Sequence, residues 1–143
     1  MKPTLKPIFV IFSLFAIIMA IAAISDYRQS QADAKELVVW QKDISAALSD
    51  ASKLHQPVFI DFTASWCGPC QQMKRTTFAD PAVKKALDRY ATVQVDLDQQ
   101  HAVAEKYKVD SIPTFIILSE NGEVINRRSG YLESDRFLSW LGR

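Results

Sequence analysis

Cysteine is scarce in this chain. Of 143 residues only Cys67 and Cys70 are cysteines, and none is left over to staple distant segments. That excludes a disulfide-rich secreted scaffold and a zinc site built from four thiolates. Histidine is equally sparse. His55 and His101 do not form a ligand-like pair, and no metal site is expected. With 4 glycines and 6 prolines the chain is neither collagen-like nor low in complexity, and no internal repeat is visible. Excess charge is missing too. There are 17 basic and 16 acidic residues, a net +1, so no basic stripe exists to draw in nucleic acid. What remains is a length suited to one globular domain, with 48% hydrophobic residues to build its core.

Those apolar residues are unevenly spread. Residues 8–24 read IFVIFSLFAIIMAIAAI, 17 positions with Ser13 as the single polar member. Lys2 and Lys6 precede the run, and Asp26, Tyr27 and Arg28 come after it. Its length lies between a signal-peptide core of about 7–15 residues and a spanning helix of about 17–25. Length favours a retained anchor in the inner membrane. The triplets Ala20-Ile21-Ala22 and Ala32-Asp33-Ala34 permit cleavage instead. On either reading the positive flank stays in the cytoplasm and the remainder of the chain is carried across. The expected organisation is a signal anchor or signal peptide (1–24), a polar linker (25–36) and a folded domain (37–143).

Within 37–143 strand-like and helix-like patterns alternate. Leu37–Trp40 predicts a strand, and the continuous run Val58-Phe59-Ile60-Asp61-Phe62 predicts one buried on both faces. Between them Asp43 caps a helix with Ile44, Ala47, Leu48, Ala51 and Leu54 at helical spacing, stopped by Pro57. A helix opens near Cys67. Another opens at Asp80-Pro81, an N-cap followed by proline at the first helical position. Thr92–Asp96 predicts a third strand, Gln99–Tyr107 a helix and Thr114–Leu118 a fourth strand. Asn121-Gly122 marks a hairpin turn that returns Glu123–Arg128 antiparallel as a fifth strand, before a last helix over Glu133–Leu141. The order predicts an α/β domain: a mixed five-stranded sheet, parallel in its first half, flanked by helices and preceded by an N-terminal hydrophobic helix.

The chemistry concentrates at Trp66-Cys67-Gly68-Pro69-Cys70, where a buried strand gives way to a helix. A helix N-terminus presents unpaired N–H groups and the positive end of the dipole, which stabilise a thiolate. Cys67, at the exposed end, is the expected nucleophile, and Cys70, one turn further in, the shielded resolving thiol. Cys67 attacks a substrate disulfide to form a mixed disulfide. Cys70 then attacks Cys67, releasing reduced substrate and leaving a Cys67–Cys70 disulfide. The pair is itself the redox centre, so no cofactor is expected. Asp61 lies six residues before Cys67 in an otherwise apolar strand. Buried, it has a raised pKa and can take and return the Cys70 proton. Turned to solvent by the strand alternation, it has no such role. Trp40, Trp140 and Met73 read as packing, and Gly130 as either a turn residue or a point of close substrate approach.

WCGPC, the strand VFIDF ahead of it and Ile112-Pro113-Thr114 ahead of another strand together resemble the thioredoxin family, over about residues 37–142. Within it, FIDFTASWCGPCQQMKRTTFADPAVKKAL is similar to the C-terminal periplasmic domain of DsbD reductases, which share a T-F-x-D-P-x-V segment. The resemblance implies a thioredoxin fold with strand order 1-3-2-4-5. It implies a cis Ile112–Pro113 bond, where the residues alone permit a trans proline opening a strand. It implies that the loop at Ile112, Pro113 and Thr114 faces the cysteine pair and pairs its backbone with a substrate chain like an added strand, with Trp66, Gly68 and Pro69 also binding substrate. It also gives Asp61 the proton-accepting role. Two departures matter. The family usually places a lysine near that acid on the third strand. The aligned residue here is Gln94, which leaves Asp61 without that positive neighbour. An aromatic often stands three residues before the tryptophan, where this chain has Thr63.

The expected protein is thus an exported thiol–disulfide oxidoreductase acting on disulfides of extracytoplasmic proteins. It is held on the periplasmic side of the membrane, or cleaved and soluble in the periplasm. The Gly-Pro pair favours reduction, as in thioredoxins poised near about −270 mV rather than oxidants near about −120 mV. A reductase in an oxidising compartment must be recharged, so a membrane electron donor is an expected partner. The protein is expected to be a monomer. The alternatives are an oxidase or isomerase, a thioredoxin of cytochrome c maturation, or a non-catalytic binding module on the same fold.

Overall fold

The computed structural model describes residues 6–32 and 35–142, with side chains described for 11–25 and 35–142. The chain divides into two units, Met1–Ala34 and Lys35–Arg143. In the first, helix α1 spans Lys6–Ala32. It continues past Ile24 through a polar stretch that holds no glycine or proline to stop it. Its apolar side chains from Ile11 to Ile24 are exposed. Among the described residues no helix is long and apolar enough to cross a membrane.

The second unit is built on four strands: β1 Val58–Thr63, β2 Ala91–Asp96, β3 Thr114–Leu118 and β4 Val124–Ser129. They form one sheet in the order β2-β1-β3-β4. β1 and β2 are parallel, and the β1–β3 and β3–β4 pairs are antiparallel. The helices are α2 Ile44–Leu54, α3 Gly68–Arg75, α4 Pro81–Leu87, α5 His101–Lys106 and α6 Ser134–Leu141, with a 3₁₀ turn at Thr77–Ala79. Asp43 caps α2 by accepting the Ser45 and Ala46 N–H groups. Asp80 caps α4 by accepting that of Ala82, with Pro81 at the first helical position. In the β3–β4 connection Gly122 takes a φ of +85°, the left-handed backbone that an Asn-Gly turn needs.

The sheet has four strands rather than five. Leu37–Trp40 runs beside β2, where the implied order places the first strand, but forms no ladder. Gln41 alone bridges Val93, in parallel. The reason is a competing set of bonds. Leu37 donates its N–H to the Phe78 carbonyl at 2.9 Å, and the Val39 carbonyl accepts the Thr92 hydroxyl at 2.6 Å. Backbone pairing with β2 is left to Gln41 N–H on Thr92 and Gln94 N–H on Gln41, each 2.9 Å.

All six residues of β1 are buried. Alternation sends Val58, Ile60 and Phe62 into a cluster with Ala47 and Ala51 of α2 and Ala104 of α5. Phe59 enters the opposite cluster, with Met73 of α3, Val83 and Leu87 of α4, and Phe137 and Leu141 of α6. Helices therefore cover both faces. The strand that leads to the cysteines is buried along its whole length.

Candidate active site

Cys67 is the N-cap of α3, in extended backbone at φ −78° and ψ 99°. Its Sγ accepts the Cys70 N–H at 3.2 Å. Gly68 and Pro69 fill the first two helical positions. Proline removes the donor that would compete at the second, so the Cys70 amide is the one aimed at sulfur. Cys67 and Cys70 are joined in a disulfide, their Cα atoms 5.3 Å apart. The expected contrast in exposure is absent in this state: Cys67 is 4% exposed and Cys70 3%. The bond to Cys70 holds the Cys67 sulfur against the helix start, and Ala64 and Ile112 pack around the pair.

The neighbouring loops complete a surface. Trp66 is 67% exposed, yet its indole N–H donates to both carboxylate oxygens of Asp98 at 3.1 Å. The Ile112–Pro113 bond is cis, and the Pro113 carbonyl accepts the Gly130 N–H at 2.8 Å. Ile112 packs against Cys67 and Cys70. Thr114 is buried. Its hydroxyl is engaged with the Ser111 carbonyl and the Ser129 hydroxyl, both at 2.7 Å, so its side chain secures this loop.

Asp61 is buried in the middle of β1, with 2% exposure. Burial pushes its pKa up to about 7. The Gln94 hydrogen bond opposes this, the Glu36 charge adds to it, and the Lys74 and Lys42 charges oppose it. Gln94 is the register partner of Asp61 on β2, and its Nε2 donates to Asp61 Oδ2 at 3.0 Å. Lys42 Nζ in turn donates to Gln94 Oε1 at 2.7 Å. β2 thus carries no lysine beside Asp61, and the cations that act on it come from elsewhere: Lys74 of α3 and, through Gln94, Lys42 of the segment ahead of α2. Nothing local in the sequence marks Lys42 or Asp98, because each reaches its partner only through the fold. Glu36 has its own pKa raised by burial, with the Trp40 hydrogen bond opposing. Thr63, two residues after Asp61, is buried with a hydroxyl that has no partner among the described residues.

A Thioredoxin-like domain model matches residues 44–143. This chain belongs to the thioredoxin-like family. Among its relatives is the thiol:disulfide interchange protein DsbD of Pectobacterium atrosepticum, 32% identical over 105 residues. The match covers 69% of this chain and 18% of that protein. Of the solved structures, a thioredoxin from Thermus thermophilus superposes with a TM-score of 0.66 at 28% identity, covering 73% of this chain and 85% of that one. The oxidised C-terminal domain of Neisseria meningitidis DsbD gives 0.62 at 26% identity, covering 73% of this chain and 97% of that domain. The chain spans about half or less of the length of the first curated relatives. The paired cysteines stand at the start of α3 within this thioredoxin-like domain.

Proposed function

We propose that this thioredoxin-like protein is an exported disulfide reductase, held on the periplasmic side of the inner membrane by residues 8–24. The observation that carries the catalytic half is Cys67 at the N-cap of α3 with the Cys70 N–H on its sulfur. A thiolate at that position has a helix dipole and a directed N–H to stabilise it. The Gly-Pro pair and the likeness to DsbD support reduction over oxidation. The apolar run behind Lys2 and Lys6 supports export.

The reaction proceeds in two displacements. The Cys67 thiolate attacks one sulfur of a protein disulfide, the substrate S–S bond breaks, and the departing thiolate takes up a proton. Cys70 then gives its proton to Asp61 and attacks Cys67 Sγ. The substrate sulfur bound to Cys67 leaves as a thiolate and takes up a proton, which Asp61 can return, and the Cys67–Cys70 disulfide holds the two electrons' worth of oxidation. A carboxyl titrating at about 7 holds both protonation states near neutrality, which suits a group that takes and returns a proton. The pair needs no further cofactor. A dithiol donor at the membrane recharges it, and the protein works as a monomer.

Insulin reduction by the full-length protein, with a small dithiol as electron source, tests the activity. Catalytic turnover is expected, and its absence favours a binding module. In the cell the pair is expected to stand largely reduced. A fully oxidised pair points to an oxidase. Fractionation and N-terminal sequencing test the anchor. A membrane-bound product supports it, and a soluble one beginning at Ala23 or Lys35 leaves export without anchoring. A cytoplasmic domain overturns both.

A further inference from the structure

Three residues from three places in the sequence form one hydrogen-bonded file: Lys42 Nζ to Gln94 Oε1 at 2.7 Å, and Gln94 Nε2 to Asp61 Oδ2 at 3.0 Å. The ends differ in setting. Asp61 and Gln94 are buried, and Lys42 is exposed. We infer that Lys42 is a positioning residue for disulfide exchange: its ammonium fixes the orientation of the Gln94 amide so that the amide donates to Asp61. The inference rests on the reading of Asp61 as the proton acceptor for Cys70.

The donors and acceptors in the file fix its direction. An ammonium carries three donors and no acceptor, so the amide atom that faces it is the oxygen. With Oε1 taken by Lys42, the amide has only its NH₂ group left for Asp61. A carboxylate accepts that bond, whereas a protonated carboxyl gains more from an amide oxygen. Lys42 therefore favours ionised Asp61 twice, by its charge and by holding a donor in place. Without it the amide is free to turn over and offer its oxygen to the protonated acid.

The backbone around Lys42 is held for this task. Before it, Gln41 donates to the Thr92 carbonyl and accepts the Gln94 N–H, each at 2.9 Å. The Lys42 carbonyl itself accepts the Gln100 Nε2 donor at 2.9 Å. The bridge at Gln41, one residue past the expected first strand, thus sets Lys42 beside Gln94. Two other charges act on Asp61. Glu36, from the same leading segment, opposes Lys42, and Lys74 of α3 reinforces it. The leading segment thereby supplies one charge of each sign, and only Lys42 is hydrogen-bonded into the file.

The test reads Asp61 directly. Its carboxyl carbon is titrated by NMR in the full-length oxidised protein in detergent micelles, for wild type, Lys42→Met, Lys42→Arg and Gln94→Leu. Lys42→Met is expected to raise the Asp61 midpoint by about half a pH unit or more, the scale of one partly screened charge at this remove. Lys42→Arg is expected to restore it. In the Gln94→Leu background Lys42→Met is expected to move it less. Because Lys42 lies at the surface, its replacement opens no core. The rate of substrate release from the mixed disulfide is followed against pH in parallel, and its midpoint is expected to rise with that of Asp61. An unmoved Asp61 midpoint in Lys42→Met overturns the inference, as does an arginine variant that behaves like the methionine one. An Asp61→Asn variant that keeps the wild-type pH–rate profile overturns instead the reading of Asp61 as proton acceptor, whatever the titration shows.

Discussion

Asp61 and Gln94 are register partners across the parallel β1–β2 ladder, and the Gln94 amide donates to the Asp61 carboxylate at 3.0 Å. One neutral donor does not compensate a carboxylate for the loss of water. Burial wins, and the acid titrates at about 7 rather than at the ordinary 3.8.

That shift has a sign that stability measurements read. Between pH 3.8 and about 7 the native protein keeps a proton that the unfolded chain has released. The contribution of Asp61 is fully present below the lower value and is lost as pH rises through the upper one. The loss is on the order of 4 kcal/mol. Asp61→Asn has no such titration. Denaturant unfolding of both oxidised proteins from pH 4 to 8 should show wild type losing stability relative to the variant across that window, and a constant difference above it. Parallel curves would mean that Asp61 is hydrated. In single turnovers the same variant should release substrate at least about 10²-fold more slowly near neutral pH, the lower end of what general-base help contributes.

The two cysteines should differ once the disulfide is opened. Cys67 caps α3 and receives the Cys70 N–H, while Cys70 sits inside the first turn. Alkylation of the reduced protein should modify Cys67 first, at pH values below the ordinary thiol pKa of about 8.5. Peptide mapping after brief exposure to iodoacetamide checks the order. Faster labelling of Cys70 reverses the assigned roles.

Phe59 anchors the face of the sheet on which α3, α4 and α6 pack. It is fully buried, and its ring lies 5.6–6.4 Å from those of Trp40, Tyr90, Phe115, Phe137 and Trp140. Phe59→Ala should cost about 3–5 kcal/mol, because so many fixed rings cannot collapse into the space. Chemical denaturation at neutral pH measures it. A loss under about 1 kcal/mol would mean that the aromatic cluster repacks.

The features legible in the sequence are those that local chemistry decides. The VFIDF run predicts a strand buried on both faces, and β1 is one. Asp43 and Asp80 cap the helices they precede, and Cys67 falls where the strand-to-helix boundary puts it. The apolar run Leu37–Trp40 misleads because strand propensity does not reveal that the Leu37 N–H goes to Phe78 and the Val39 carbonyl to the Thr92 hydroxyl. Lys42 and Asp98 are hidden for the same reason. Their partners lie 52 and 32 residues away, at separations where no spacing rule operates. Asp61 is legible because burial is dictated by its neighbours. The cations acting on it, Lys74 and Lys42, are not, because they arrive from other segments.

Trp66 combines exposure with restraint, and that combination is testable. Its indole N–H is shared between the two oxygens of Asp98, a surface residue in the turn after β2. An aromatic face held this way beside Cys67 has little side-chain freedom left to lose when a substrate chain covers it. Asp98→Ala frees the ring without opening the core, so stability should change by less than about 1 kcal/mol. Immobilising one rotamer-rich side chain costs about 0.5–1.5 kcal/mol, so KM for a protein disulfide should rise by roughly two- to tenfold, with kcat little changed. A small soluble disulfide, which does not cover the indole, should be reduced as fast as by wild type. Steady-state kinetics on both substrates decide the matter. An equal loss on both would place Asp98 in the chemistry of the cysteines, and no loss on either would mean that the orientation of Trp66 plays no part in binding.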